Sequence, residues 1–431
     1  MGEWPLLTLR EAGVALTDCE HRTPASSPTG RPYVAIPQLK EGRVDLSAAR
    51  LISDADFEEW TRKARPQLCD VILSRRCNPG ESAVVTAGIE CALGQNLVLL
   101  RADGRRVLPA YLRWLLRGPA WWGQVGRFIN VGAVFDSLKC ADIPEFELPI
   151  PPLDVQKNIA DILGALDDKI DLNRRMSETL EEIAWALFRS WFMDFDPVRA
   201  KMEGRDPGLP SEFTGLFPDS FADSEMGELP SGWHVGSIAE LAEVVGGTTP
   251  STSNTSYWEG GEYAWVTPKD LAALDSPCLL RTDRKITAEG LAVISSGLLP
   301  VGTVLLSSRA PIGYRAIAEI PVAINQGFIA LRPKRSVPSS FLFHWLGFAH
   351  DEIVSRANGS TFLEISKSNF RPIPIVVPPP TVLNAFGFMA RPLHDAIRLC
   401  ARQSESLTTL RDTLLPKLIS GELRIPDLEA A

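Results

Sequence analysis

The chain has no paired cysteine motif. Its seven cysteines, Cys19, Cys69, Cys77, Cys91, Cys140, Cys278 and Cys400, form no Cys-x-x-Cys, and their number is odd. A disulfide scaffold and a zinc ribbon are therefore disfavoured, and reduced thiols in a cytoplasmic protein fit better. No uninterrupted apolar run reaches the ~18 residues needed to span a bilayer, so no membrane is expected as a partner. The glycine-rich signatures GxGxxG and GxxxxGK[ST] are missing, as is an Asn/Asp-Pro-Pro-aromatic tetrad; the Pro-Pro pairs follow Ile150 and Val377. Only five histidines occur, and His344 and His350 are spaced wrongly for one helical face. No acid/base or nucleophilic constellation is visible, so the expectation is a binder that holds no metal or cofactor. A general basic excess is lacking too: the net charge is −9.

That charge is uneven. Residues 151–227 hold 8 Lys/Arg against 16 Asp/Glu, whereas residues 62–127 hold 11 against 4. A local basic patch on an acidic protein can still meet phosphate.

The strongest positive signal is an internal repeat. Pro151-Pro152-Leu153-Asp154 opens a heptad stretch, and Pro378-Pro379-Pro380-Thr381 opens another 227 residues later; Leu166, Ile170, Leu180 and Leu187 match Leu393, Ile397, Leu407 and Leu414. Ile159, Leu163, Leu166, Ile170, Asn173, Ser177, Leu180, Ala184, Leu187 and Trp191 follow steps of four and three, a coiled-coil seam with a polar patch in its middle. The second seam runs through Phe386, Ala390, Leu393, Ile397, Cys400, Ser404, Leu407, Arg411, Leu414 and Leu418. Asp154 and Thr381 are read as N-caps, and Pro416 is expected to kink the last turn. Each helix leaves its own domain, so antiparallel pairing is the simpler topology. Forty residues at ~1.5 Å each would act as a ruler of roughly 60 Å or less.

Weaker matches extend the repeat. Tyr33 corresponds to Tyr263, Arg76 to Arg309, Gln95 with Leu97 to Gln326 with Phe328, and residues 132–135 to residues 359–362. Short apolar runs such as Val71, Ile72, Leu73 and Leu97, Val98, Leu99, Leu100 read as buried strands. The expected fold class is α+β: two similar globular domains joined by two long antiparallel heptad helices in a pseudo-two-fold repeat. The expected boundaries are a first domain at 1–150 and a first helix at 151–192. An extended acidic linker at 193–228 and a second domain at 229–377 follow, then a second helix at 378–423 and a tail at 424–431.

These motifs in this order resemble the specificity subunit of Type I restriction–modification systems. The resemblance rests on Pro-Pro-Leu-x-x-Gln ending at Gln156 and on the run from Trp191 through Phe192, Asp194, Phe195, Asp196, Pro197 and Val198. It also rests on Leu229-Pro230-Ser231-Gly232-Trp233 and on Ser420-Gly421-Glu422-Leu423. One departure is that Leu383 stands where the second helix would repeat Gln156. The resemblance implies two target-recognition domains reading a split, asymmetric site on double-stranded DNA. It implies helices that dock two modification subunits, and restriction motor-nuclease subunits as further partners. S-adenosylmethionine would be bound by the modification subunits, not by this chain. Candidate DNA contacts are Arg75, Arg76, Asn78, Arg105 and Arg106 in the first domain. In the second they are Thr248, Thr249, Ser251, Asn254, Lys269 and Arg309. Two other readings stay open: a recognition subunit of a methyltransferase-only system, and a protein-binding tandem-repeat scaffold.

Overall fold

The computed structural model describes residues 4–132, 135–359 and 363–424. The matched stretches 132–135 and 359–362 therefore fall partly, and residues 425–431 wholly, outside the described residues. The chain forms two compact units, residues 1–169 with 407–431, and residues 170–406.

In the first unit the apolar runs at 71–74 and 97–102 become adjacent antiparallel strands. They lie inside a six-stranded sheet ordered Val14–Asp18, Leu97–Ala102, Val71–Ser74, Ser82–Val84, Arg43–Val44, Leu39–Lys40. Successive side chains point to opposite faces. Val71, Leu73, Val98 and Leu100 pack with Tyr111, Trp114 and Trp121, while Ile72, Leu97 and Leu99 pack with Cys19, Val34 and Leu93. Burial on both faces explains why these runs are continuously apolar instead of alternating. A three-stranded sheet, Arg50–Ile52, Arg31–Val34, Ala92–Leu93, and a pair of Leu6–Thr8 with Glu147–Pro149 complete the unit's strands.

The second unit repeats this order. Its five-stranded sheet runs Ala242–Gly246, Phe328–Pro333, Val304–Ser308, Ile312–Ala318, Cys278–Leu279. Its three-stranded sheet runs Arg284–Ile286, Tyr263–Val266, Val322–Ile324, and His234–Ser237 pairs with Pro374–Val377. The first unit's main sheet differs by one extra two-residue edge strand. The fold is thus α+β with an internal repeat of topology.

Two helices of 40 residues, Leu153–Phe192 and Pro380–Ile419, follow the two domains. In the second unit Asn173 Nδ2 donates to Ser404 Oγ at 3.3 Å, while the Trp191 ring lies 6.0 Å from Phe386. Numbers rise along one helix as they fall along the other, so the segments are antiparallel. In the first unit Arg411 donates to Asp167 Oδ1 at 2.7 Å, and Ile159 and Leu163 share a core with Leu415 and Leu418. Of the leucines and isoleucines in the two seams, Ile159, Leu163, Ile397 and Leu418 are buried; Leu166, Ile170, Leu180, Leu187, Leu393, Leu407 and Leu414 are half-buried.

Two local expectations change. Asp154 and Thr381 lie inside the first turns, and the carbonyls of Pro152 and Pro379 accept the first helical bonds from Gln156 and Leu383, at 2.9 and 3.2 Å. The second helix runs through Pro392 and Pro416 to Ile419. The stretch expected as an extended linker is folded, with helices Asp196–Met202 and Ser211–Thr214 and a hairpin of Phe221–Ser224 with Gly227–Pro230. Its aromatic side chains are the reason. Phe195 and Phe217 are buried with Trp191 and Trp233, and the Trp191 and Phe217 rings are 5.0 Å apart. Aromatic anchors outweigh a Pro-, Gly- and acid-rich background.

Gln156 is fully buried. Its Oε1 accepts from Leu108 N at 2.8 Å, and its Nε2 donates to Arg106 O and Pro151 O at 2.7 and 2.8 Å. The amide satisfies a turn that would otherwise bury orphan backbone groups. Leu383 instead packs into the second unit's apolar core. Gln156→Leu is expected to destabilise the chain by about 3 kcal/mol in urea unfolding, because the Leu108 N–H and two carbonyls lose their partners. Among the described residues, no helix is long and apolar enough to cross a membrane.

Candidate nucleic-acid interface

Strand direction decides which polar side chains gather. In the first unit Leu97 lies opposite Ser74 and Leu100 opposite Val71. Residues just after Ser74 therefore meet those just before Leu97, and Arg75 N donates to Asn96 O at 2.9 Å. Arg76, Asn78 and Gln95 are exposed at this end. Arg75 is not: it is only 9% exposed and its Nε has no partner, so it is no surface reader. It directly follows a strand, Val71–Ser74, that is buried on both faces. Arg105 and Arg106 are exposed but follow Ala102, at the other end of a six-residue strand. They sit roughly 17 Å or more from Arg76, beside the helix start that Gln156 clamps. The five arginine and asparagine candidates of this half therefore do not form one site.

The second unit brings most of its candidates together around Asn325, Gln326 and Gly327. Thr248 N donates to Ile324 O at 3.1 Å, Thr249 Oγ1 donates to Gln326 Oε1, and Asn325 N donates to Val266 O at 3.1 Å. Lys269 lies in the first turn of the short helix Pro268–Ala272, exposed and 3.4 Å from Asp283. Arg309 leaves the strand Val304–Ser308 at the same end, half-buried and 3.6 Å from Glu364. Thr248 Oγ1 is 3.0 Å from Ser295 Oγ. Ser251 and Asn254 extend from this loop, and both are exposed. Ser251 O accepts from the Trp258 indole at 3.0 Å, and Asn254 Oδ1 accepts from Ser256 N at 3.2 Å.

The two arginines at matching positions share a backbone feature. Arg76 bridges to Ser137 and Arg309 to Glu364, and the next residues, Cys77 and Ala310, take φ of 63° and 53°. Non-glycine residues rarely adopt this left-handed region, and such strain clusters at functional sites. Gln95, Asn96, Asn325 and Gln326 were not among the sequence-based candidates, although the repeated glutamine was the available signal. Neither were Lys367 and Arg371. With Lys334, Gly246, Ser295, Ser296 and Glu243 these line a groove of about 510 Å³ in the second unit. Three cations against one acid suit a phosphate backbone, and the amide side chains nearby suit base edges.

Comparison with known proteins is consistent with this chemistry. The family described as Type I restriction modification DNA specificity domain matches residues 111–182 and 230–382. The chain is similar to the specificity subunit of the Type I restriction enzyme HindI from Haemophilus influenzae, with 27% identity over 67% of this chain and 72% of that protein. It is 36% identical to the MjaIX specificity subunit of Methanocaldococcus jannaschii over 43% of this chain and 44% of that one. The crystal structure of a Type I restriction–modification S subunit from M. genitalium shares the fold, with a TM-score of 0.57 at 16% identity and 96% coverage of both chains.

Proposed function

Since this chain belongs to the Type I restriction–modification DNA specificity family, we propose that it reads a bipartite, asymmetric DNA target, one part with each recognition domain, and catalyses nothing itself. The observation that carries this reading is the repeat of one strand order with different side chains at the matching end. Arg76 and Gln95 recur as Arg309 and Gln326, but by strand register Asn78 falls on Pro311, and Glu20 and His21 stand where the second unit has Thr248 and Thr249. Equivalent frames bearing unlike donors and acceptors favour unlike half-sites. Exposed apolar side chains on the long helices, Leu172, Met176, Ile183 and Leu399, offer a surface for the modification subunits. Those subunits would bring S-adenosylmethionine and methylate adenine. Restriction subunits would join the same assembly, and the two helices would set the spacing of the half-sites.

Methylome sequencing with and without the gene tests the reading: a split adenine-methylated motif should disappear on deletion. A motif that persists, or one that is palindromic, contradicts it. In the assembled complex, Arg76→Ala and Arg309→Ala are each expected to weaken duplex binding about 10-fold or more. The loss should concentrate on one half-site if the arginine reads a base. Equal loss on every sequence with a shallower salt slope would assign it to phosphate.

A further inference from the structure

We propose that Cys278, Glu319 and His394 form a binding site for a zinc-class divalent metal ion in the second unit. The Cys278 Sγ, a Glu319 carboxylate oxygen and a His394 ring nitrogen lie within 4.8 Å of one another. Cys278 and Glu319 are 2% and 7% exposed. Thiolate, imidazole and carboxylate are the donor set that zinc takes at ~2.0–2.3 Å. A tetrahedral ion with those bond lengths needs donors about 3.3–3.8 Å apart, so the widest separation must close by about 1 Å while the 2.6 Å His394–Glu319 pair opens by a little less. Sulfur among the donors disfavours magnesium and calcium, which take oxygen.

The backbone holds the three residues independently of one another. Cys278 lies in the edge strand Cys278–Leu279, paired in parallel with Ile317 and Ala318. Glu319 follows at once, and its N–H donates to Leu279 O at 3.0 Å. His394 comes from the second long helix, with Nε2 2.6 Å from Glu319 Oε1. An ion here would tie the sheet edge to that helix.

The surroundings suit a ligated set. Arg398 donates to the other oxygen of Glu319 at 3.4 Å and is itself held by Asp395 at 2.7 Å. A donor to the spare oxygen of a ligating carboxylate is the usual outer support of such a centre. A cavity of about 20 Å³ shares His394 with the trio and is lined also by Glu181 and His344. That is room for one water beside His394, although neither Cys278 nor Glu319 lines it. Among the described residues the Cys278 thiol makes no hydrogen bond. On binding, the thiol proton would leave to solvent and the dication would take the thiolate. The cluster of Asp18, Cys19 and His21 in the first unit is different, because the Cys19 thiol already donates to Gly94 O at 3.0 Å.

The test uses the full chain, stripped with chelator and titrated with cobalt(II), without DNA. One equivalent is expected to give the intense thiolate-to-cobalt absorption, and zinc should displace it and raise the melting temperature. Cys278→Ser and His394→Ala should each weaken binding at least tenfold and abolish or shift that band, whereas Cys19→Ser should leave it unchanged. Circular dichroism of each variant establishes that it is folded. No thiolate band in the wild type, or an unchanged band in folded Cys278→Ser, overturns the proposal.

Discussion

Asp167→Asn should cost about 3–5 kcal/mol of stability. Asp167 is 1% exposed and is met by three arginines from three elements. Arg411 of the second helix donates to Oδ1 at 2.7 Å; Arg113, from the helix Pro109–Leu115, pairs with Oδ2; Arg43 donates to the backbone carbonyl and stands 3.9 Å from Oδ2. Arg113 is already strained electrostatically, since burial, with Arg43 and Arg117 adjacent, pushes its guanidinium down to about 9. Removing the one buried acid leaves cations that cannot be resolvated in place. The Arg113 guanidinium lies 4.1 Å from the centre of the Trp114 ring, and urea unfolding followed by far-UV circular dichroism measures the loss. The double variant Asp167→Asn/Arg113→Leu should recover part of the loss, because it removes one of the uncompensated charges. A loss below about 1 kcal/mol in the single variant would mean that solvent reaches the cluster and screens it.

This cluster also shows where sequence reading stops. Arg411 is the one charged residue among the second seam's positions, and its partner lies one residue off the opposite seam. Finding it requires the alignment of the two helices, which no local pattern supplies. The 227-residue repeat that aligns Ile170 with Ile397 also aligns Asp167 with His394. At those matching positions the first unit sets an acid among arginines, and the second sets a histidine against Glu319. The repeat thus preserves backbone and burial and inverts polarity, so heptads and strand runs were legible while the charged junctions were not. The same distinction holds at the interface. Arg76 and Arg309 could be matched because they follow equivalent apolar strands. Arg75 was misjudged because Val71–Ser74 is buried on both faces, so no alternation marks the side on which the next residue lies. Arg105 and Arg106 were grouped with Arg76 by charge alone. Only the antiparallel register of Leu97–Ala102 against Val71–Ser74 places them at the opposite end.

Acid should destabilise the second unit through His344, by an amount a single substitution isolates. His344 is 3% exposed on the helix Ser339–Phe348, with Trp185, Phe188 and Phe343 rings 5.4–6.0 Å away. Burial, then the positive charges of Arg315 and His394, push its imidazole down to about 3 from 6.5. The facing groups include one acid, Glu181, which lines the same small cavity and whose own carboxyl is raised by burial. It offers little anionic help to a protonated imidazole. Above pH 6.5 the ring is neutral in both folded and unfolded chains and contributes no pH dependence. As pH falls from 6.5 toward 3, the unfolded chain takes up a proton that the folded chain refuses, so stability declines by up to ~1.4 kcal/mol per pH unit. Between pH 7 and pH 4.5 the wild type should therefore lose about 2–3 kcal/mol more than His344→Phe, measured by urea unfolding at both values. The aromatic replacement keeps the ring packing against Phe188 and Trp185 and removes the titration. Carboxylates elsewhere titrate in both proteins and cancel from the difference. Equal losses in the two proteins would mean that protonated His344 finds a partner within the fold, with Glu181 the nearest acid able to supply one.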